Sequence, residues 1–460
     1  MKKRWIIMMT IMVIFAVLGV VLPEGSSWNP EGEPLNFANM AWMITATIFV
    51  LMMTPGVSFF YGGMVRAKNV ISTMLQSFIA MGVISVVWVV FGFSLAFGED
   101  IGGFIGNPLT YFMFKDVGIH IPVGSENLAS LGLTIPLALY ALFQMKFAII
   151  TPSLITGSFA ERVHFSGYLV FMMLWCIFVY CPLAHWTWHP EGFLGQMFVK
   201  DFAGGIVVHA SSGVAALTGA IFLGRRKTVG VFRPANIAFV ILGAAMLWLG
   251  WFGFNGGSSL AADGVAVKAF LNTNTACATA MLVWVFFDCL RGRKPSAMGA
   301  SVGAVVGLVA ITPSAGWVSV GESIAIALIT TLVCNTAVHW KNKTHVDDAL
   351  DVFPTHGVGG IIGTILTGIF VYETTEISHL HSFFNHLMAV VLVFAYTFVV
   401  TYILYWLTSK MVPMRVSAES EQLGLDRSQH DELYGVGMLT EEGANELAEY
   451  HEEHNNFIDK

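Results

Sequence analysis

His209 and His356 each lie inside a glycine-rich apolar segment long enough to cross a bilayer. An imidazole in such a place must find a hydrogen-bond partner, because a bare polar group in hydrocarbon is strongly disfavoured. Each histidine follows an aspartate on its own segment, in Asp201-Phe-Ala-Gly-Gly-Ile-Val-Val-His209 and Asp351-Val-Phe-Pro-Thr-His356. One isolated buried histidine reads as a core residue bonded to a carbonyl. Two of them, on segments that run in opposite directions and each a short way past an aspartate, point to a shared proton or substrate relay.

Asp201 opens its segment, where free backbone N–H groups and the helix dipole favour a negative charge. It reads either as a helix cap or as a direct substrate contact, and Asp351 is positioned to do the same for the second segment. Aromatic residues gather in Phe143-Gln-Met-Lys-Phe147, His185-Trp-Thr-Trp188 and Trp251-Phe-Gly-Phe254-Asn. Phe143 and Phe147 are four apart and share a helix face. Ring faces stabilise a desolvated cation by about 2 kcal/mol, although the same rings also serve as core or interface-belt residues. Lys146 is a charge within the third apolar stretch, roughly 100° around the helix from Phe147. Pairing or snorkelling accounts for it, and it is not assigned to a path.

Metal and cofactor chemistry is not expected. His379, His381 and His386, and likewise His185 and His189, lack an acidic or cysteine companion at firm spacing and read as solvated loop histidines. The cysteines, Cys176, Cys181, Cys277, Cys289 and Cys334, are scattered through apolar stretches as small hydrophobes.

The elements that must position these residues are membrane helices. The 460-residue chain is 55% hydrophobic and only 12% charged, half the roughly 25% of soluble domains. No basic stripe with interleaved aromatics suggests a nucleic-acid partner. Apolar stretches recur at 37–62, 70–97, 129–157, 167–184, 204–223, 235–256, 266–289, 297–313, 320–340, 351–372 and 385–410, each near or above the roughly 20 residues a spanning helix needs. Basic residues fall in alternate connections: Arg66 and Lys68, Arg162, Arg225 to Arg233, Arg291 to Lys294, Lys341 and Lys343, then Lys410 and Arg415. The other connections hold only Lys115, Lys200 and Lys268.

The positive-inside rule then predicts an all-α polytopic membrane protein of eleven spans, with the first span starting outside and the tail in the cytoplasm. The fifth and tenth stretches carry the two histidines in opposite directions. Two inverted five-helix repeats plus a final helix, with the site at the midplane, would produce that arrangement. Residues 1–27 have the basic start and apolar middle of a signal peptide, and an extra N-terminal helix satisfies the charges equally well. The transmembrane domain is placed at 37–410 and a cytoplasmic tail at 411–460. Glycine clusters at 204–219 and 357–368 read as close helix packing.

Several stretches resemble the Amt/Mep/Rh ammonium transporters, and the bacterial Amt branch in particular. They are Thr54-Pro-Gly with Phe60-Tyr-Gly-Gly and Lys68-Asn-Val, Phe143-Gln with Phe147-Ala-Ile-Ile-Thr-Pro, Ala160-Glu-Arg, and Asp201-Phe-Ala-Gly-Gly with Val-His209. To these add Trp251-Phe-Gly-Phe254-Asn-Gly-Gly-Ser258 and Asp351-Val-Phe with His356-Gly-Val-Gly-Gly. The resemblance implies a homotrimer in the cell inner membrane, with a pore through each subunit. It implies an outer recruitment site of Trp188, Ser258 and Phe147, a gate of Phe147 and Phe254, and a pore pair of His209 and His356 bonded to each other. Asp201 matches the acidic residue that orients backbone groups beneath the recruitment site. The implied activity is to recruit ammonium, deprotonate it and conduct ammonia while a proton is relayed along the histidines. The alternatives are an ammonium sensor acting through a partner and an Rh-like neutral ammonia channel.

Gly424-Leu-Asp-Arg-Ser-Gln-His430-Asp-Glu-Leu-Tyr434 resembles the family's tail, which with the cytoplasmic loops supports docking of a PII-type signalling protein. Asp431 stands where that motif usually has glycine. By composition alone, 417–460 reads as a solvated, partly disordered acidic tail. About fifty polar residues after Lys410 are too few for a kinase or cyclase domain, and no nucleophile or metal accompanies the histidine pair as an enzyme would require.

Overall fold

In the computed structural model, residues 2–22, 28, 34–227, 232–371 and 377–435 are described. Among these described residues, ten helices are long and apolar enough to cross a membrane. Numbered after an N-terminal helix α1 (Lys2–Val21), they are α2 (Phe37–Met64), α3 (Ala67–Phe97), α4 (Leu137–Ile155), α5 (Phe165–Gln196), α6 (Gly205–Leu223), α7 (Ile237–Ser259) and α8 (Gly264–Leu290). After the shorter α9 (Ala297–Ile311) come α10 (Val320–Lys341), α11 (Phe353–Phe370) and α12 (His379–Met411). Every apolar stretch read from the sequence overlaps one of these helices, though the third, expected from 129, begins its α-helix only at Leu137 after a 3-10 turn at Ala129–Leu131. The eighth stretch is the exception in length: at 15 residues, α9 reaches only about 22 Å, short of the roughly 30 Å hydrocarbon core.

Local chemistry sets the helix starts. Asn36, Asn236, Asp263, Ser296, Ser319 and Ser378 each accept a bond from the backbone N–H three residues on, which satisfies one of the donors a helix N-terminus leaves free. Ser319 and Glu322 complete a reciprocal capping box.

Contacts fix the directions of the two histidine-bearing helices. The start of α6 lies beside Lys200, whose backbone N–H donates to His386 Nε2 at 2.9 Å, and His386 also packs on Gly368 near the end of α11. The start of α11 lies beside Lys341 at the opposite face. The two helices are therefore antiparallel, as their place in the chain order predicts. They cross with almost no separation: a Cβ on Gly213 would fall 2.1 Å from the Gly357 backbone, and one on Gly360 would fall 2.6 Å from the Gly205 carbonyl. The two glycine clusters are packing surfaces, as expected.

The connections rich in basic residues meet at one face in an ion-pair network. Buried Glu161 contacts Arg66 at 2.6 Å and Arg226 at 3.0 Å, and Arg226 also grips Asp347 at 2.9 Å. Burial alone would raise the Glu161 carboxyl, but hydrogen bonds and charge from Arg66 and the charge of Arg226 outweigh it and hold it below the usual range.

The expected solvated tail differs from the structure through residue 435. A short helix, α13 (Ala418–Leu423), leads into a segment packed under α3. Asp426 accepts the N–H groups of Ile71 at 3.0 Å and Ser72 at 2.7 Å, Gln429 accepts from Phe165 N–H at 2.7 Å, and Asn236 donates to the Tyr434 hydroxyl at 3.0 Å. Composition sees only charge, whereas these side chains act as caps for exposed helix ends. Asp431 takes φ +56°, the left-handed conformation that glycine adopts most easily and that aspartate tolerates. The expectations for 436–460, and for the end of the N-terminal segment at 23–27, fall outside the described residues.

Candidate functional site

Both histidines lie on π-turns, as do three other described segments, Trp88–Gly92, Cys176–Tyr180 and Asp426–His430. His209 lies on a π-turn (Gly205–Ala210), its N–H bonded to Gly204 O at 3.0 Å, and His356 lies on another (Phe353–Gly357). Such widened turns are rare and concentrate at functional positions. They bring the two rings edge to edge and nearly coplanar, with Nδ1 to Nδ1 at 3.3 Å and ring centroids 5.4 Å apart. One Nδ1 must donate and the other accept, so the pair shares a proton position. Both rings are buried, and His209 Nε2 has no protein partner among the described residues.

The other sequence-predicted residues line up on this pair. Trp188 packs edge-on against Phe147 at 5.9 Å between centroids. Phe147 lies against Phe254 at 4.2 Å, and Phe254 contacts His209 at 5.9 Å. Above the phenylalanines opens a cavity of about 410 Å³ whose lining includes Phe147, Trp188, Asp201 and Ser258. Ser258 donates its hydroxyl hydrogen to Phe254 O at 2.8 Å, so its oxygen lone pairs remain to accept. Trp251 stacks on His209 at 5.2 Å and 18°, steadied by its indole N–H on Thr312 Oγ1 at 2.8 Å. The sequence flagged Trp251 only as part of an aromatic group.

Asp201 is a cap in this arrangement. Its Oδ1 accepts from Gly204 at 2.9 Å and Gly205 at 2.6 Å, and its Oδ2 from Ile206 at 2.9 Å and Val207 at 3.2 Å. Its backbone carbonyl takes the Trp188 indole N–H at 2.9 Å. Four N–H groups occupy the carboxylate that a substrate would otherwise meet. Burial pushes this carboxyl above its ordinary range against the pull of those bonds.

Asp351 does not play the matching part. Its carboxylate pairs with Lys341 at 2.6 Å, and the cap on α11 is Asp348, whose Oδ2 accepts from Phe353 at 2.7 Å. Burial pushes Asp348 up to about 6. The signal was spacing: Asp348 precedes His356 by eight residues, as Asp201 precedes His209.

Lys146 is buried with its ammonium 3.6 Å from Met145 Sδ, and no described carboxylate pairs with it. It does not line the cavity. His185 and His189 correct the solvated-loop reading. Both are buried, at 0% and 3% exposure, their rings stack at 4.2 Å, and His185 Nε2 lies 2.8 Å from Asp100 Oδ1. Asp100 comes from a connection eighty-five residues earlier, so linear spacing did not reveal it. His386 is buried and bonded at both nitrogens, to Lys200 N–H and Ser382 O, while His379 and His381 are exposed.

Ten described helices long and apolar enough to cross a membrane, with a column of rings beneath a cavity, mark a polytopic membrane protein. Residues 41–434 match the Ammonium Transporter Family, and the chain belongs to that family. It is 43% identical over 409 residues to a putative ammonium transporter of Methanothermobacter thermautotrophicus, covering 86% of this chain and 98% of that one. The ammonium transporter of Bacillus subtilis is 42% identical over 407 residues, with the same coverage. Among solved structures, Saccharomyces cerevisiae Mep2 superposes with a TM-score of 0.77 at 34% identity, over 88% of this chain and 93% of that chain. A protein described as a sensor Amt protein gives 0.78 at 30% identity, over 85% and 98%.

Proposed function

We propose that ammonium is recruited in the cavity by Trp188, Ser258 and Phe147, loses its proton near the gate of Phe147 and Phe254, and crosses as ammonia past His209 and His356. The observation that carries this reading is the unbroken column of rings from Trp188 to His356. Ring faces and the Ser258 oxygen suit a cation that donates hydrogen bonds. Ammonium and potassium are alike in size and charge, so width alone does not separate them. A dry passage disfavours an ion that stays charged, and only ammonium can leave its proton behind. The paired Nδ1 atoms offer that proton a separate path.

The same reading takes Ala297–Ile311 as the eighth of eleven spans and the halves before α12 as inverted repeats. Support comes from two aspartate-capped, π-turned, antiparallel helices, each with a histidine eight residues past its cap. The transmembrane domain is 37–410, preceded at 1–27 by a signal peptide or an extra helix and followed by a cytoplasmic tail at 411–460. The chain assembles as a homotrimer in the inner membrane, its first span starting outside and its tail in the cytoplasm, where the basic face offers a surface to a PII-type protein. A second reading, an ammonium sensor, draws on the likeness to the sensor Amt protein.

Proteoliposomes on a solid-supported membrane separate the readings. Ammonium jumps are expected to give transient currents that equal potassium jumps do not. Flux without charge would favour the neutral channel, and binding without flux the sensor.

A further inference from the structure

Outside the pore column, one cluster of ligating side chains stands apart. Asp100 lies at the start of a two-residue hairpin strand, paired antiparallel with Ile105–Gly106. Its carboxylate is held by the turn, accepting from Gly103 N–H at 2.7 Å and 3.0 Å. His185 and His189 are four apart at the end of α5 and present their rings on one side. One ligand atom from each of the three residues lies within 4.8 Å of the others.

The hydrogen bonds show what this cluster lacks. His185 Nδ1 is 2.9 Å from the Ala96 carbonyl, a pure acceptor, so that nitrogen carries a hydrogen. Its Nε2 then faces another acceptor, Asp100 Oδ1, at 2.8 Å. Two electron-rich atoms at that distance attract only with a cation between them, either a second proton or a metal ion. His189 makes two long contacts, 3.2 Å from Glu191 N–H to Nδ1 and 3.4 Å from Nε2 to Asn127 Oδ1, and either can be exchanged for a metal bond.

We infer that Asp100, His185 and His189 bind a divalent transition-metal ion of the zinc class. Two imidazoles and one carboxylate are the donor set of a zinc site with an open fourth position. Bonds of about 2.0–2.1 Å at tetrahedral angles separate ligand atoms by about 3.3 Å, so the 2.8 Å contact widens only slightly. The Ala96 carbonyl orients His185 through its other nitrogen, the usual outer support of a metal-bound histidine. The fourth position opens onto a cavity of about 340 Å³ lined by His189, Asp100, Glu99, Glu126 and Glu191, whose carboxylates draw cations and leave room for water. His185 and Trp188 share the last turns of one helix, so a bound ion would clamp the segment that carries the cavity tryptophan. The site does not depend on the transport mechanism.

The test uses the full chain in detergent, stripped with EDTA and titrated with Co2+ and then Zn2+. One Co2+ per chain should bind with a visible absorption band of nitrogen and oxygen ligation, and Zn2+ should displace it and raise the unfolding temperature. His189→Gln and Asp100→Asn should each weaken binding at least about tenfold, since even outer supports of a metal site contribute that much. Both EDTA-treated variants should unfold near the temperature of the EDTA-treated native chain, and Zn2+ should no longer raise it. Failure of Co2+ and Zn2+ to bind at micromolar concentration, or binding that both variants leave intact, would overturn the site. Binding lost only when Glu99, Glu126 and Glu191 are changed together to Gln would assign the ion to the acidic wall and also overturn it.

Discussion

Among single residues, Asp201 shows how a structural contact can look like a functional one. It lines the cavity, yet its carboxylate is occupied by four backbone N–H groups. Each buried donor left without an acceptor costs about 1–3 kcal/mol. Asp201→Ala should therefore lower stability by at least about 3 kcal/mol in thermal unfolding, more than Asp201→Asn, which keeps an acceptor. A loss of ammonium affinity at unchanged stability would instead make Asp201 a direct ligand. The histidines were legible in the sequence because a polar ring in an apolar, glycine-rich run stands out. Their contact was expected only through the family resemblance, because it joins residues 147 positions apart and no local pattern marks it. Asp348 was missed because Asp347, Asp348 and Asp351 crowd together, and the eight-residue spacing it shares with Asp201 stands out only once Asp201 is known to be a cap.

The elements obey their sequence pattern closely, down to the glycine contact that joins the two antiparallel helices. Gly213→Ala would drive a methyl into the Gly357 backbone, so it should destabilise by roughly 1–3 kcal/mol or more. Gly82→Ala is the control: nothing lies within 4 Å of the added carbon, and the change should stabilise by about 0.4–1 kcal/mol. Equal melting temperatures for the two variants would refute the close crossing. Hydropathy located α9 but not its shortness, because the stretch 297–313 runs apolar into the turn that follows Ile311. The π-turns had no signature in the sequence: two others, Trp88–Gly92 and Cys176–Tyr180, contain no histidine.

For the whole molecule, charge placement organises the basic face and binds the tail to it. Glu161→Gln would leave Arg66 and Arg226 without their shared buried partner, and breaking such a pair costs about 3–5 kcal/mol. Thermal unfolding should show that loss at neutral pH and little difference once the native Glu161 itself is protonated in acid. Asp426 has the opposite sign. Burial pushes its carboxyl up to about 6, so the folded tail binds a proton more tightly than the free tail does. Docking should strengthen as pH falls from about 6 towards 4 and stay flat above that window. Proteolysis of the 424–434 segment that slows across that acid window would bear this out; unchanged or faster cleavage would refute it. The tail's composition suggested solvation because it reports charge and not the helix ends that such charges cap.

The histidine pair is proposed to carry the proton which ammonium leaves behind. The most direct measurement is the solid-supported-membrane current of proteoliposomes carrying His209 and His356 both replaced by alanine, beside the native chain. Ammonium-induced current should disappear in the double variant while the protein remains folded. An unchanged current with unchanged discrimination against potassium would contradict it.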